Sequence, residues 1–325
     1  MIGIWFGIDV SKKKLHAAYW LGGQKYRMIT VDNTASGFAK LLVWAMAVAD
    51  GKAMGFCMEA TGDYGLAAGL YLTEAGHHVS VINPAWIKHF GMGKGRLNKT
   101  DKADSKLICD YARDGQPEAW HLADPRKRQL FRLHRRRIQL TEHIVAEMNR
   151  RECPEAIGAD CMASIKRVLK ALRTERRDID KQISEILKTP GFAGDLELLL
   201  SLPRFGLSSV LVALAEMPNV EHCDSAKAYA AAAGGNPTAK ESGTSVSSSS
   251  MSRGGRRIAR SVLWMPTLNL IRLMPELDDL YNRLRKKGQK HKQALIACIR
   301  KLLMIIYGML TTRTPYKPKV FQAAA

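Results

Sequence analysis

Apolar positions in the first hundred residues follow two spacings. IWFGIDV (4–10) is a nearly continuous apolar run and predicts a buried strand. LHAAYWL (15–21) and YRMITV (26–31) predict two more strands, and Gly22-Gly23 between them marks a hairpin. Residues 35–50 carry helical spacing, with Thr34 as the expected cap. AMGFCM (53–58) predicts a fourth strand, 63–75 a helix, and HVSVIN (78–83) a fifth strand that ends at Pro84. Strands in hairpin order followed by strand–helix alternation predict an α/β unit: a mixed sheet flanked by helices.

Strand signals then stop. A helix is predicted over 101–113, and two long charged helices over 125–152 and 160–188, broken near Pro154 and Gly158. Leu130, Leu133, Arg137, Leu140 and Ile144 share one face, and Ile165, Leu169 and Leu172 another, as an antiparallel helical hairpin or coiled coil requires. Pro190-Gly191 opens a mainly helical last third. It has a helix–turn–helix pattern turning at 203–206, an Ala-rich helix at 226–233, and helices at 256–272, 276–286 and 290–310. A polar loop spans 234–255. The expected segments are 1–122, 123–190 and 191–325.

Charge narrows the partner. The 325 residues hold 50 Lys plus Arg against 30 Asp plus Glu, a net charge of +20, and 46% are hydrophobic. That apolar content builds cores and excludes a disordered basic tail, while the positive excess favours a polyanion, by default nucleic acid. Residues 295–310 are apolar but broken by Arg300 and Lys301, and the start shows no basic segment before its apolar run. No membrane and a cytoplasmic location are therefore expected. The six cysteines are scattered with no CxxC pair, as reduced structural thiols would be.

Four carboxylates stand out against this background. Asp9 sits inside a strand run, where Asp is depleted and a buried charge is costly without a partner. Glu59 ends another strand, and Asp101 and Asp104, three apart, share one face at a helix start. Singly, Asp101 also fits a helix cap, Asp104 a first-turn acid and Glu59 a surface strand end. Together they are oxygen donors suited to a hard cation.

GIDVSKKKL, CMEATGDYG, VSVINP and NKTDKADSKLI, in this order and spacing, resemble the DEDD-type transposases of the IS one-ten family of insertion sequences, relatives of the pilin-gene invertases. The resemblance runs over nearly the whole chain. It implies an RNase H-like (RuvC-like) N-terminal domain whose metal-binding acids are Asp9, Glu59, Asp101 and Asp104, holding Mg²⁺ or Mn²⁺. A helical linker and a mainly α C-terminal transposase domain would follow.

Ser242, within ESG, reads from local sequence alone as part of a solvated Ser- and Gly-rich loop. The resemblance implies instead a nucleophile that forms a covalent phosphoserine with DNA, set against the acids of another protomer. It also implies donor and target DNA as partners, a bridge-type guide RNA, and a dimer that assembles to a tetramer. Where relatives carry a Pro-Gly-Ile-Gly-like turn, this chain has Pro203-Arg204-Phe205-Gly206.

The candidate nucleic-acid contacts are two basic runs. RKRQLFRLHRRR supplies Arg126, Lys127, Arg128, Arg132, Arg135, Arg136 and Arg137, with no interleaved acid; RGGRRIAR supplies Arg253, Arg256, Arg257 and Arg260. A third cluster holds Arg283, Arg285, Lys286, Lys287, Lys290 and Lys292. Such contacts supply affinity rather than sequence reading. Other readings are a metal-only junction-resolving nuclease, an invertase without guide RNA, and a non-enzymatic nucleic-acid-binding protein.

Overall fold

The computed structural model describes residues 2–60, 62–95, 101–120, 124–152, 158–234, 237–238, 250–251 and 256–318; for Asp63, Asp101, Lys102, Pro237, Thr238, Ser250 and Met251 it describes the backbone alone. The chain divides into two compact units, Met1–Leu122 and Ala123–Ala325.

The first unit is built on a five-stranded sheet: β1 (Ile4–Val10), β2 (Lys14–Gly22), β3 (Lys25–Asp32), β4 (Met54–Glu59) and β5 (His78–Ile82), in the order β3-β2-β1-β4-β5. β1, β2 and β3 pair antiparallel, whereas β1–β4 and β4–β5 pair parallel. The β2–β3 turn runs through Gly22 and Gly23, both at positive φ, where a side chain would be strained. This mixed sheet and the helical remainder fit the RNase H-like plus helical architecture expected from the sequence.

Alternation along β1 and β4 assigns each strand two apolar faces. Phe6, Ile8, Val10, Phe56 and Met58 join Phe38 and Leu41 of α1 (Ala35–Ala49) and Leu72 of α2 (Leu66–Glu74) in one core. Thr34 caps α1 as expected, accepting from the Gly37 amide. Trp5 and Cys57 face the other way, onto Ile87 of α3 (Pro84–Gly93) and Ile108 and Ala112 of α4 (Asp101–Gly115). Burying such a side chain contributes about 1.5–3 kcal/mol. Both faces are therefore strongly specified, which fixes the register.

In the second unit, α5 (Pro125–Arg150) and α6 (Ala159–Leu187) form the predicted antiparallel pair. They share one core with α7 (Pro190–Leu200), α8 (Leu207–Leu211), α9 (Ala226–Ala232), α10 (Arg257–Ile271), α11 (Pro275–Lys286) and α12 (His291–Thr312). α8 continues directly into a wider π-type turn, Val212–Glu216. By length and composition α12 is apolar enough to cross a membrane. Here its Leu295, Cys298, Leu302 and Ile306 are buried in the shared core.

Candidate active site

The close packing of α4 on β1 sets the geometry of the acids. A Cβ placed on Gly7 of β1 would fall 2.1 Å from the Cys109 amide nitrogen and 2.3 Å from the Ser105 carbonyl oxygen of α4. Helix α4 therefore lies directly on β1, and only glycine permits that approach. Cys109 Sγ also donates to the Trp5 carbonyl at 3.4 Å. Moving from Cys109 to Ser105 along the helix corresponds to moving from Trp5 toward Gly7 along the strand. The first turn of α4, with Asp101 and Asp104, thus comes at the Asp9 end of β1.

Asp9 lies two residues beyond Gly7 and so projects from the α4-facing side of the sheet. Glu59 stands in the same relation to Cys57, which is in register with Gly7 on the adjacent parallel strand. Asp9, one residue before the end of β1, and Glu59, the last of β4, therefore lie on one face at neighbouring strand ends, and both are half-buried. Asp104, also half-buried, stands in the first turn of α4, the helix packed on that face. The side chain of Asp101 lies outside the described residues. Among the described residues no three His, Cys, Asp or Glu side chains already stand close enough to hold a metal ion. Asp9, Glu59 and Asp104 are carboxylates at one end of the sheet, oxygen groups of the kind a hard divalent cation takes.

The surroundings of α4 are well tied. Asp110 is buried and accepts from the Tyr26 hydroxyl at 2.7 Å and from Arg113 Nη1 at 3.0 Å. The Arg113 guanidinium lies 4.2 Å from the Trp20 ring centroid. Burial pushes the Cys57 thiol up to about 12 and Cys109 to about 11, so both stay protonated and act as packing groups. All the described cysteines are free; Cys153 lies outside the described residues.

Ser242 and Arg253 also lie outside the described residues. The segment 239–249, which contains Ser242, runs between two short paired strands, β6 (Pro237–Thr238) and β7 (Ser250–Met251). Arg256 and Arg260 follow the loop. The Arg256 amide donates to the Ala232 carbonyl at 3.0 Å, and Arg260 donates to the Ala233 carbonyl. Arg257 is exposed at the start of α10.

The cations of the basic run on α5 have different surroundings. Arg135 grips the fully buried Glu216 bidentately, Nε–Oε1 2.7 Å and Nη2–Oε2 2.9 Å. Arg137 pairs with Asp180 at 2.6 Å and donates to Ser208 Oγ at 3.0 Å. Lys127 donates to Asn219 Oδ1, and burial, reinforced by the Arg256 charge, lowers its pKa to about 8. Arg126 pairs with Asp124. Arg128 is half-buried, whereas Arg132 and Arg136 are exposed, and an open groove runs past Arg126, Gln129, Arg132 and Arg136. The sequence singled out neither Glu216 nor His134. Both are fully buried polar residues, and neither sits in a pattern that announces a partner.

Two family models match the chain. Residues 6–152 match the family model for DEDD transposases of IS110, described as Transposase, and residues 196–282 match the Transposase IS116/IS110/IS902 family. The chain belongs to the IS110 transposase family. It is 26% identical over 322 residues to the pilin gene-inverting protein of Moraxella bovis, covering 98% of this chain and 99% of that one. The insertion element IS110 43.6 kDa protein of Streptomyces coelicolor is 27% identical over 48% of this chain and 38% of its own length. Among solved structures, Thermus thermophilus RuvC is matched at 17% identity and a TM-score of 0.27, over 36% of this chain and 99% of that one. As an IS110-family transposase, this protein is a DNA-cutting enzyme of transposition or recombination.

Proposed function

We propose that this IS110-family protein excises and rejoins the DNA of an insertion sequence through a serine-linked intermediate. Asp9, Glu59, Asp101 and Asp104 would hold Mg²⁺ or Mn²⁺, and Ser242 would be the nucleophile. The observation that carries the reading is the placement of Asp9 and Glu59 at the ends of adjacent parallel strands, on the face that receives the first turn of α4.

A divalent cation bound there supplies charge stabilisation to the attacking and leaving oxygens of a phosphodiester. The remaining work belongs to the chain. Ser242 Oγ loses its proton and bonds to phosphorus, the strand's P–O bond breaks, and the departing oxygen takes up a proton. Reversal with a different strand oxygen restores Ser242, so rejoining needs no ATP. Following the family resemblance, the reading includes assembly from more than one protomer, as a dimer and then a tetramer.

DNA backbone contacts fall to the exposed cations, Arg132 and Arg136 foremost, together with Arg257 and the 283–292 cluster and the half-buried Arg128. They read no sequence, so target and donor choice is assigned to pairing with a bridge-type RNA, a division of labour known from other guided systems. Sequencing the RNA that co-purifies with the active protein tests this part. Enrichment of an RNA from the element's own flank supports it, and activity on RNA-free protein contradicts it.

A further inference from the structure

Two exposed aromatic rings stand at the same end of the sheet as the acids. Tyr64, 51% exposed, lies five residues beyond Glu59, in the tight turn Gly62–Gly65 that follows β4. Trp86, 60% exposed, lies four residues beyond Ile82, in the first turn of α3 that follows β5. Glu59 and Ile82 are register partners on adjacent parallel strands, so both rings emerge just past the same sheet edge.

Contacts along α3 fix its direction. Phe90 meets Tyr111 edge-on at 5.4 Å, and Lys94 pairs with Asp114 at 2.7 Å. The later part of α3 therefore lies along the later part of α4. Its first turn, with Trp86, comes at the end where Asp104 stands. Tyr64 is held as well, since Asn33 Nδ2 donates to both the Ser11 and the Tyr64 carbonyls at 3.0 Å, tying the turn to the end of β1 two residues past Asp9.

Neither ring contributes to a core. A tyrosine and a tryptophan on positioned backbone, left open to solvent, cost the unit apolar exposure without packing in return. Exposed cations accompany them along the chain: Lys12 and Lys13 follow Asp9 closely, and Lys88 shares α3 with Trp86, against the exposed Asp32 beside Asn33. Aromatic rings among cations are the make-up of a single-strand surface, where bases stack and the backbone follows the charge.

We propose that Tyr64 and Trp86 form a stacking platform for unpaired DNA bases beside the strand that the acids act on. The occupant is DNA because the carboxylates at this same end of the sheet are those assigned above to phosphodiester chemistry, and the inference rests on that reading. The platform holds nucleotides that have left the duplex, so the strand presented to Asp9 and Glu59 is locally unpaired.

The test is binding of the full chain, without divalent metal, to a single-stranded DNA oligonucleotide carrying 2-aminopurine, and to the matching duplex. Trp86→Ala and Tyr64→Ala are expected to weaken single-strand binding by about five- to a hundredfold each and to abolish the fluorescence quenching that stacking produces. Trp86→Phe and Tyr64→Phe should retain both, and duplex affinity should change by less than about twofold. Alanine variants that bind and quench like the parent overturn the platform. So does equal loss on duplex, preference for the RNA form of the oligonucleotide, or an altered oligomeric state with unchanged DNA binding. A separate arm measures strand cleavage by Asp9→Asn. Full cleavage there would overturn the reading of the acids and leave the stacking result standing.

Discussion

Helix α4 reaches β1 through Gly7, over which the Ser105 carbonyl lies so closely that a Cβ would come within 2.3 Å of it. This approach sets where Asp104 stands relative to Asp9. Gly7→Ala cannot be absorbed by a flexible side chain, because the atoms it meets are backbone. It should cost about 1–3 kcal/mol in urea unfolding and reduce DNA cleavage with it. Gly93→Ala, with nothing within 4 Å, should leave stability unchanged or raise it by up to about 1 kcal/mol. Equal behaviour of the two variants would remove the close-approach argument.

Arg135 and Arg136 are neighbours in sequence with opposite duties. Arg135→Ala strands the buried Glu216 carboxylate and should destabilise the protein by about 3–5 kcal/mol. Arg136→Ala should change stability by less than about 0.5 kcal/mol. Thermal or urea unfolding of the two single variants decides this, and comparable losses would contradict it.

Arg132 and Arg136 should instead appear in the salt dependence of nucleic-acid binding. Each neutralised phosphate releases counterions, so log K falls steeply with log salt. Replacing both by Ala should weaken binding across unrelated sequences and flatten that slope by about one for each phosphate left unneutralised. An unchanged slope would return these residues to a solvated helix face.

His134 gives the second unit a pH response. Its ring is buried with no hydrogen-bond partner, and its Nε2 lies 3.8 Å from a Glu216 oxygen already gripped by Arg135. Burial first, then the Arg137 and Arg135 charges, lower its pKa from 6.5 to about 4. The unfolded chain therefore binds the proton first. The stability held by neutral His134 is fully present above pH 6.5 and is lost as pH falls toward 4. The loss amounts to about 3 kcal/mol at most, at about 1.4 kcal/mol per pH unit. Urea unfolding at a series of pH values measures it, and His134→Gln should flatten the profile between pH 6.5 and 4.

Much of the first unit was legible because local signals agreed. Alternation fixed the strands, Gly22-Gly23 fixed the hairpin, and an acid inside an apolar strand marked Asp9. Helix α3 was passed over, because PAWIKHFGMG is short and carries two glycines. The available signal was Asn83 before Pro84, a cap followed by proline in the first turn. The duties of the basic run were not legible at all. Glu216 and Asp180 lie 81 and 43 residues from their arginines, so no local spacing reveals the pairs. Gly7 was invisible for a similar reason: its role depends on a helix about a hundred residues later.

The central claim is that Ser242 becomes covalently attached to DNA under control of the acids. The direct measurement is to react the full chain with its co-purifying RNA, donor DNA and Mg²⁺, digest the products, and map the DNA-linked peptide by mass spectrometry. The account predicts a phosphopeptide at Ser242 that disappears in Asp9→Asn and in Ser242→Ala. Attachment at another residue, or full strand exchange by Ser242→Ala, would contradict it.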